Sequence, residues 1–190
     1  MQKILLLESN WLPQESRLLA DVYQRVLPAD LMQTQALMAD SCQQVLLDFI
    51  RHPARQRGPH LIILSAHAQY GDKCECWFRG GDSRFDLNVV LKALRGQLKR
   101  SILLLDACFV GQDVQRLQQN CGALGVIGFA GPINWTASSI FNMALLRQWQ
   151  AAGLWQMQRC SPRRPEKVIQ IMQQQVYKVM MQQLQVNFTF

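Results

Sequence analysis

The sequence predicts an α/β domain of three layers, a mostly parallel sheet with helices on both faces, and three observations lead there. Short apolar runs recur along the chain at Lys3 to Leu7, Leu61 to Leu64, Ile102 to Leu105 and Gly125 to Phe129. Each has strand length and lacks the polar alternation of a half-exposed strand, so each reads as buried on both faces. Between them lie segments whose apolar residues recur at helical spacing, and strands alternating with helices demand parallel pairing. Finally, 190 residues that are 49% apolar and 17% charged can enclose one sizeable core. No Gly/Ser/Pro linker or internal repeat divides them, so residues 1–190 are expected to form a single domain.

The elements follow in order. Lys3 to Leu7 opens as a buried strand, and Pro13 to Val26 continues as a helix with Leu18, Leu19, Val22 and Val26 at helical spacing before Pro28 stops it. The spacing predicts a second helix from about Thr34 to Arg51, with Leu37, Met38, Cys42, Val45, Leu46 and Phe49 on one face. Gly58-Pro59 breaks the chain before the strand Leu61 to Leu64. In residues 73 to 85, Cys74, Cys76 and Phe78 alternate with charged residues up to Gly80-Gly81, the pattern of a surface hairpin. Asp86 caps a helix through Leu87, Val90, Leu91 and Leu94 that ends at Gly96. The strand Ile102 to Leu105, a helix from Gln112 to Asn120 and the strand Gly125 to Phe129 come next. Thr136 to Ala151 reads as a helix with Ile140, Met143, Ala144 and Trp149 inward. Beyond Pro162 and Pro165, Glu166 to Leu184 reads as one long helix carrying Val168, Met172, Val176, Val179 and Met180. Val186 to Phe190 alternates like a terminal edge strand.

Composition excludes several classes of function. No apolar run approaches the roughly 18 residues of a membrane span, and the first eight residues lack the length of a signal peptide. A soluble, cytoplasmic protein with no membrane partner is expected. Twenty basic against 13 acidic residues give a net charge of +7, enough for weak attraction to acidic surfaces. The basic clusters, Arg51 to Arg57 and Arg159 to Lys167, have no interleaved aromatic platform, so no specific nucleic-acid partner is expected. Six cysteines in a chain of this size read as reduced thiols. Cys74-x-Cys76 has no second Cys or His pair at ligand spacing, so both read as strand cysteines and no metal or cofactor is implied.

In parallel sheets, functional groups collect at the carboxyl ends of the strands. The residues there are Glu8-Ser9-Asn10, Ser65-Ala66-His67-Ala68, Asp106-Ala107-Cys108 and Gly131 to Trp135. Taken singly, His67 is a loop histidine and Cys108 a buried thiol. Taken together, two neighbouring strands deliver an imidazole and a thiol to one rim. A thiolate must form before it attacks, and a nearby imidazole and a helix N-terminus both favour it. The helix from Gln112 begins shortly after Cys108, and Gly111 lets the chain turn between them.

At these residues the sequence resembles a family. Leu61-Ile-Ile-Leu-Ser-Ala-His-Ala is similar to the first signature of caspase-like (clan CD) cysteine peptidases, an apolar strand ending in a Ser-Gly-His-Gly type motif. Ser101-Ile-Leu-Leu-Leu-Asp-Ala-Cys-Phe-Val-Gly resembles the second, ending in Asp-x-Cys-x-x-Gly, as in metacaspases and bacterial caspase-like or CHAT domains. His67 precedes Cys108 by 41 residues, and both order and separation suit that family. Gly122 to Phe129, followed by Trp135 and a helix, is similar to the third core strand region of CHAT domains. Where the family has Gly on both sides of the histidine, Ala66 and Ala68 stand here.

The resemblance implies a sheet of about six strands and a cysteine endopeptidase in which Cys108 attacks, His67 transfers the proton, and the amides of Ala68 and Cys108 hold the oxyanion. It also implies that Asp106 and Ser65 line the pocket for the cleaved residue, which a negative floor would restrict to Arg or Lys. Glu8 is a candidate second charge there. Asp106 has a plainer use as well, capping the turn after its strand. The partners expected are a protein or peptide substrate and a separately encoded activator, or else self-cleavage at Arg79, Arg84 or Arg159 to Arg164. A second resemblance points elsewhere. Met1 to Asn10 and Gly122 to Pro132 are similar to the first and last strands of a response-regulator receiver domain, but Ser65 stands where its phosphoacceptor aspartate belongs and Gly131 where its lysine does. That implies a degenerate receiver-like, or inactive caspase-like, protein-interaction module.

Overall fold

The computed structural model describes residues 3–9, 18–28, 30–53, 58–70, 76–80, 82–157, 161, 163–174 and 177–190. Numbering strands in chain order, the four apolar runs become β1 (Ile4–Glu8), β3 (His60–Ser65), β7 (Ser101–Asp106) and β8 (Gly125–Phe129). Every residue in them is buried, as a strand covered on both faces requires. β2 (Met32–Ala36) adds in parallel to β1, and β9 (Val186–Thr189) returns antiparallel along β8. The resulting sheet has six strands in the order β2-β1-β3-β7-β8-β9, mostly parallel, with the expected terminal edge strand in place.

Side-chain alternation splits the core into two halves. Leu5, Leu7, Ile62, Leu64, Leu103 and Leu105 point to one face. There they meet Leu46 and Phe49 of α2 (Cys42–Arg51), Leu87 and Leu91 of α3 (Leu87–Ala93), and Leu117 of α4 (Val114–Cys121). Ile4, Leu6, Ile63, Ile102, Leu104 and Ile127 point to the other. They meet Leu19 and Tyr23 of α1 (Leu18–Val26), Phe141 and Trp149 of α5 (Trp135–Ala151), Ile169 of α6 (Arg163–Gln174) and Met181 of α7 (Lys178–Gln183). The molecule is thus a three-layer α/β/α sandwich. Among the described residues, no helix is long and apolar enough to cross a membrane.

Several elements differ from their sequence expectations. The helix expected from Thr34 starts only at Cys42, because Met32 to Ala36 is taken by β2. Its glutamines and threonine suit an edge strand that hydrogen-bonds on one side only. In α5 the inward face carries Ser138, Phe141, Asn142, Leu145 and Leu146 with Trp149, whereas Ile140 is 44% exposed. The expected long C-terminal helix is two helices, with Val179 pointing out and Met181 in. At about 100° per residue, an unbroken helix would turn Met181 to the side opposite Met172. Dividing it lets both reach the same core. Residues 13–17, Val176 and Cys74, on which other expectations fall, lie outside the described residues.

The surface hairpin is larger than expected. β4 (Ala68–Tyr70), β5 (Cys76–Gly80) and β6 (Ser83–Asp86) form a three-stranded antiparallel sheet in that order. Asp86 caps α3 as its sequence position predicts, accepting from the Asn88 amide at 2.9 Å.

Candidate active site

β3 and β7 are paired in parallel up to Ser65 opposite Asp106, and the Ala66 amide donates to the Asp106 carbonyl at 3.2 Å. His67 and Cys108 each follow two residues later. Their backbones therefore leave the sheet on adjacent strands, spaced about 4.8 Å apart, at the same carboxyl rim. His67 is exposed and Cys108 half-buried.

The Cys108 sulfur accepts a hydrogen bond from the Ile133 amide at 3.4 Å. Ile133 immediately precedes Asn134, the N-cap of α5, whose side chain accepts from the Ala137 amide. The helix that meets the sulfur is therefore α5, not the one following Cys108. A 3₁₀ turn, Val110–Asp113, stands between Cys108 and α4. Phe109 adopts a left-handed conformation with φ of 65°, which costs a non-glycine residue roughly 1–2 kcal/mol. Its amide donates to the Gly131 carbonyl at 3.1 Å and its carbonyl accepts from the Gln112 amide at 3.1 Å. The strain sits directly after the thiol and is held by its surroundings.

Gly111 has a different role from a flexible turn. A Cβ there would lie 2.5 Å from the Phe129 carbonyl carbon and 2.6 Å from the Ala130 nitrogen. Its carbonyl accepts from the Asn187 amide group at 2.9 Å, and the Gln112 amide group donates to the Ala130 carbonyl at 3.0 Å. Absence of a side chain thus lets the Cys108 loop lie against the end of β8.

On the histidine side, the Arg79 amide donates to the His67 carbonyl at 3.0 Å, and Ala68 stands opposite Phe78. The antiparallel pattern alternates, so His67 and Arg79 form a hydrogen-bonded pair and Ala68 the next, non-bonded one. The Ala68 amide is consequently directed away from β5, toward the outer edge of the three-stranded sheet.

The structure places the three remaining site candidates in the interior. Asp106 and Ser65 are 0% exposed and Glu8 is 2% exposed. Both Glu8 carboxylate oxygens are occupied at the start of α1, accepting from the amides of Leu19 at 2.9 Å and Ala20 at 3.2 Å. Ser65 Oγ donates to Asp106 Oδ2 at 3.3 Å. Burial lifts the Asp106 carboxyl to about 6, against the opposing pull of hydrogen bonding from Ser138, Ser65 and Asn142. The Tyr23 hydroxyl lies beside the same group, and burial raises its pKa well above the usual range. Asp106, Ser65 and Glu8 thus face the layer of α1 and α5, away from solvent.

The remaining cysteines are chemically distinct from Cys108. Among the described residues, Cys42, Cys76 and Cys121 are free and buried. Burial pushes the thiols of Cys42 and Cys76 up to about 12 and also raises that of Cys121, which keeps them protonated and inert. The sequence places Ile133 at the rim without marking its amide as a partner of Cys108, and it does not point to Ser138, Asn142 or Tyr23 near the site. The polar spacing of Ser138 and Asn142, four apart on one helix face, was the available signal. Comparison with protein-family models gives no match, and comparison with curated protein sequences gives none either.

Proposed function

We propose that this chain is a cysteine endopeptidase with a His67–Cys108 dyad, acting in the cytoplasm on a protein or peptide substrate. The observation that carries the reading is the register of β3 and β7, which sends an exposed imidazole and a half-buried thiol from adjacent strands to one rim. The Ile133 amide supplies a donor where negative charge on sulfur develops. In the reaction, the Cys108 thiolate attacks the scissile carbonyl carbon while His67 holds the thiol proton. Collapse of the tetrahedral intermediate breaks the C–N bond, and His67 gives that proton to the leaving amine. His67 then takes a proton from water, whose oxygen attacks the thioester. The intermediate expels the thiolate, releasing the acid. The outward amide of Ala68 and that of Cys108 are the proposed oxyanion donors, each worth about 3 kcal/mol where such donors have been removed from enzymes.

Geometry supports the dyad more strongly than selection of Arg or Lys. That selection requires Asp106 to face the substrate, and here α5 covers it. Control by self-cleavage narrows likewise. Arg79 and Arg84 are paired in β5 and β6, so their backbone is not presented as a loop. Arg163 and Arg164 open α6, and Arg159 lies outside the described residues. A separately encoded activator is the simpler arrangement.

The test is a peptide carrying an electrophile at the cleaved position. It should label the native chain once and spare Cys108→Ala. Labelling that persists in Cys108→Ala, with no peptide cleaved by the native chain, would sink the peptidase and leave the interaction module.

A further inference from the structure

The outer face of the three-stranded sheet carries charges in an arrangement that folding alone does not favour. His67 opposes Arg79 across β4 and β5, and Arg79 opposes Arg84 across β5 and β6. Side chains directly opposite share a face, so the three basic groups form one row across the sheet, starting at the histidine of the dyad. Like charges at opposed positions destabilise a sheet. Among the described residues, neither arginine is paired with a carboxylate. The neighbouring row places Gln69 opposite Trp77, which is 36% exposed. The Arg84 guanidinium donates to Gln69 Oε1 at 3.1 Å, which steers it back over β5 toward β4. His67, Gln69, Trp77, Arg79 and Arg84 together line a cavity of about 280 Å³.

We infer that this cavity binds an acidic side chain of the substrate, on the leaving-group side of the cleaved bond. The inference rests on the peptidase reading. In the sheet, β7, which leads to Cys108, lies on one side of β3, whereas Arg84 lines a cleft with Met38, Ala39 and Asp40, which follow β2 on the other side. A substrate whose leaving amine reaches His67 therefore continues over β5 and β6. Strands are spaced about 4.8 Å apart and an extended peptide advances about 3.3 Å per residue. The second and third residues after the cleaved bond consequently come over Arg79 and Arg84. There a carboxylate accepts charge-assisted hydrogen bonds from the guanidinium forks and relieves the repulsion between the two groups. The Trp77 ring provides an apolar wall for the methylene groups of the same side chain.

The experiment compares kcat/KM for peptides that share the cleaved residue and differ only at the second and third following positions, carrying Asp, Asn or Lys. The Asp peptide should be cleaved about tenfold better than the Asn peptide, with the advantage shrinking as salt is added. In Arg79→Gln/Arg84→Gln the Asp-to-Asn ratio should fall to about one. Both arginines are exposed, and removing their mutual repulsion should leave the melting temperature unchanged or higher. Binding of the same labelled peptides to Cys108→Ala, read by anisotropy, separates this inference from the reading beneath it. Cleavage of all peptides without acidic preference overturns the anion site and leaves the peptidase standing. Acid-selective binding that needs the arginines, with no cleavage by the native chain, does the reverse. Failure of any acidic peptide to bind or be cleaved overturns the inference.

Discussion

Replacing Asp106 by Asn should change how the stability of the protein depends on pH. Asp106 is fully buried, and its Oδ2 accepts from Ser65. Burial raises its carboxyl from 3.8 to about 6 in the fold. A carboxyl raised in this way is held as the acid by the native state more tightly than by the unfolded chain. Well below pH 4 both states carry the proton and the group contributes no penalty. Between about 4 and 6 the unfolded chain ionises first, so native stability falls as pH rises; above about 6 the loss is complete. A shift of that size corresponds to about 3 kcal/mol. The substituted asparagine cannot ionise, so its packing and hydrogen bonding add a constant offset, whereas the pH-dependent part belongs to the carboxyl. Urea unfolding of both proteins from pH 4 to 8 isolates it. The stability of Asp106→Asn relative to the native chain should rise by about 2.5 kcal/mol across that range, most of it between pH 4 and 6. Tyr23 titrates far above this window, and Glu8, which interacts with Asp106 through space, is present in both proteins. Parallel pH profiles, or a relative stability moving the other way, would refute the reasoning that burial dominates at this carboxyl.

Other expectations are more direct. Cys108→Ala and His67→Ala should each abolish peptide cleavage while leaving circular dichroism and melting temperature near those of the native protein, since both side chains lie at the rim; turnover retained in either removes the dyad. Gly111→Ala should destabilise by about 2–3 kcal/mol or more, because its Cβ meets backbone of Phe129 and Ala130 that cannot yield as a flexible side chain would; denaturant unfolding reads this, and a neutral effect contradicts the close approach. Glu8→Gln should cost about 1 kcal/mol at neutral pH through weaker charge-assisted bonds at the start of α1. Denaturant unfolding at neutral pH reads this, and an unchanged stability contradicts the two amide bonds at the start of α1.

Much of this protein was determined by local pattern. Ile4 to Leu7, Leu61 to Leu64 and Ile102 to Leu105 are apolar at every position, which suits a strand covered on both faces, and the helical periods between them pointed to the parallel sheet. The same logic put His67 and Cys108 at one rim, because the residue after a buried strand has a fixed place. Asp86 as an N-cap was legible for a similar reason: its partner, the Asn88 amide, is two residues away. What the tertiary structure decided depends on residues distant in the chain. β2 is a strand because β1 offers it an edge, and neither its glutamines nor its length announce that. Asp106 faces inward because Ser138 and Asn142 of α5 close over it, and Glu8 is bound to α1 because that helix begins within its reach. Gly111 is small because β8 passes beneath it. The basic row from His67 to Arg84 exists only once three strands fall into register. Periodicity records whether a side chain meets core or water, whereas the partner it meets is set by packing between elements, and no local pattern encodes that.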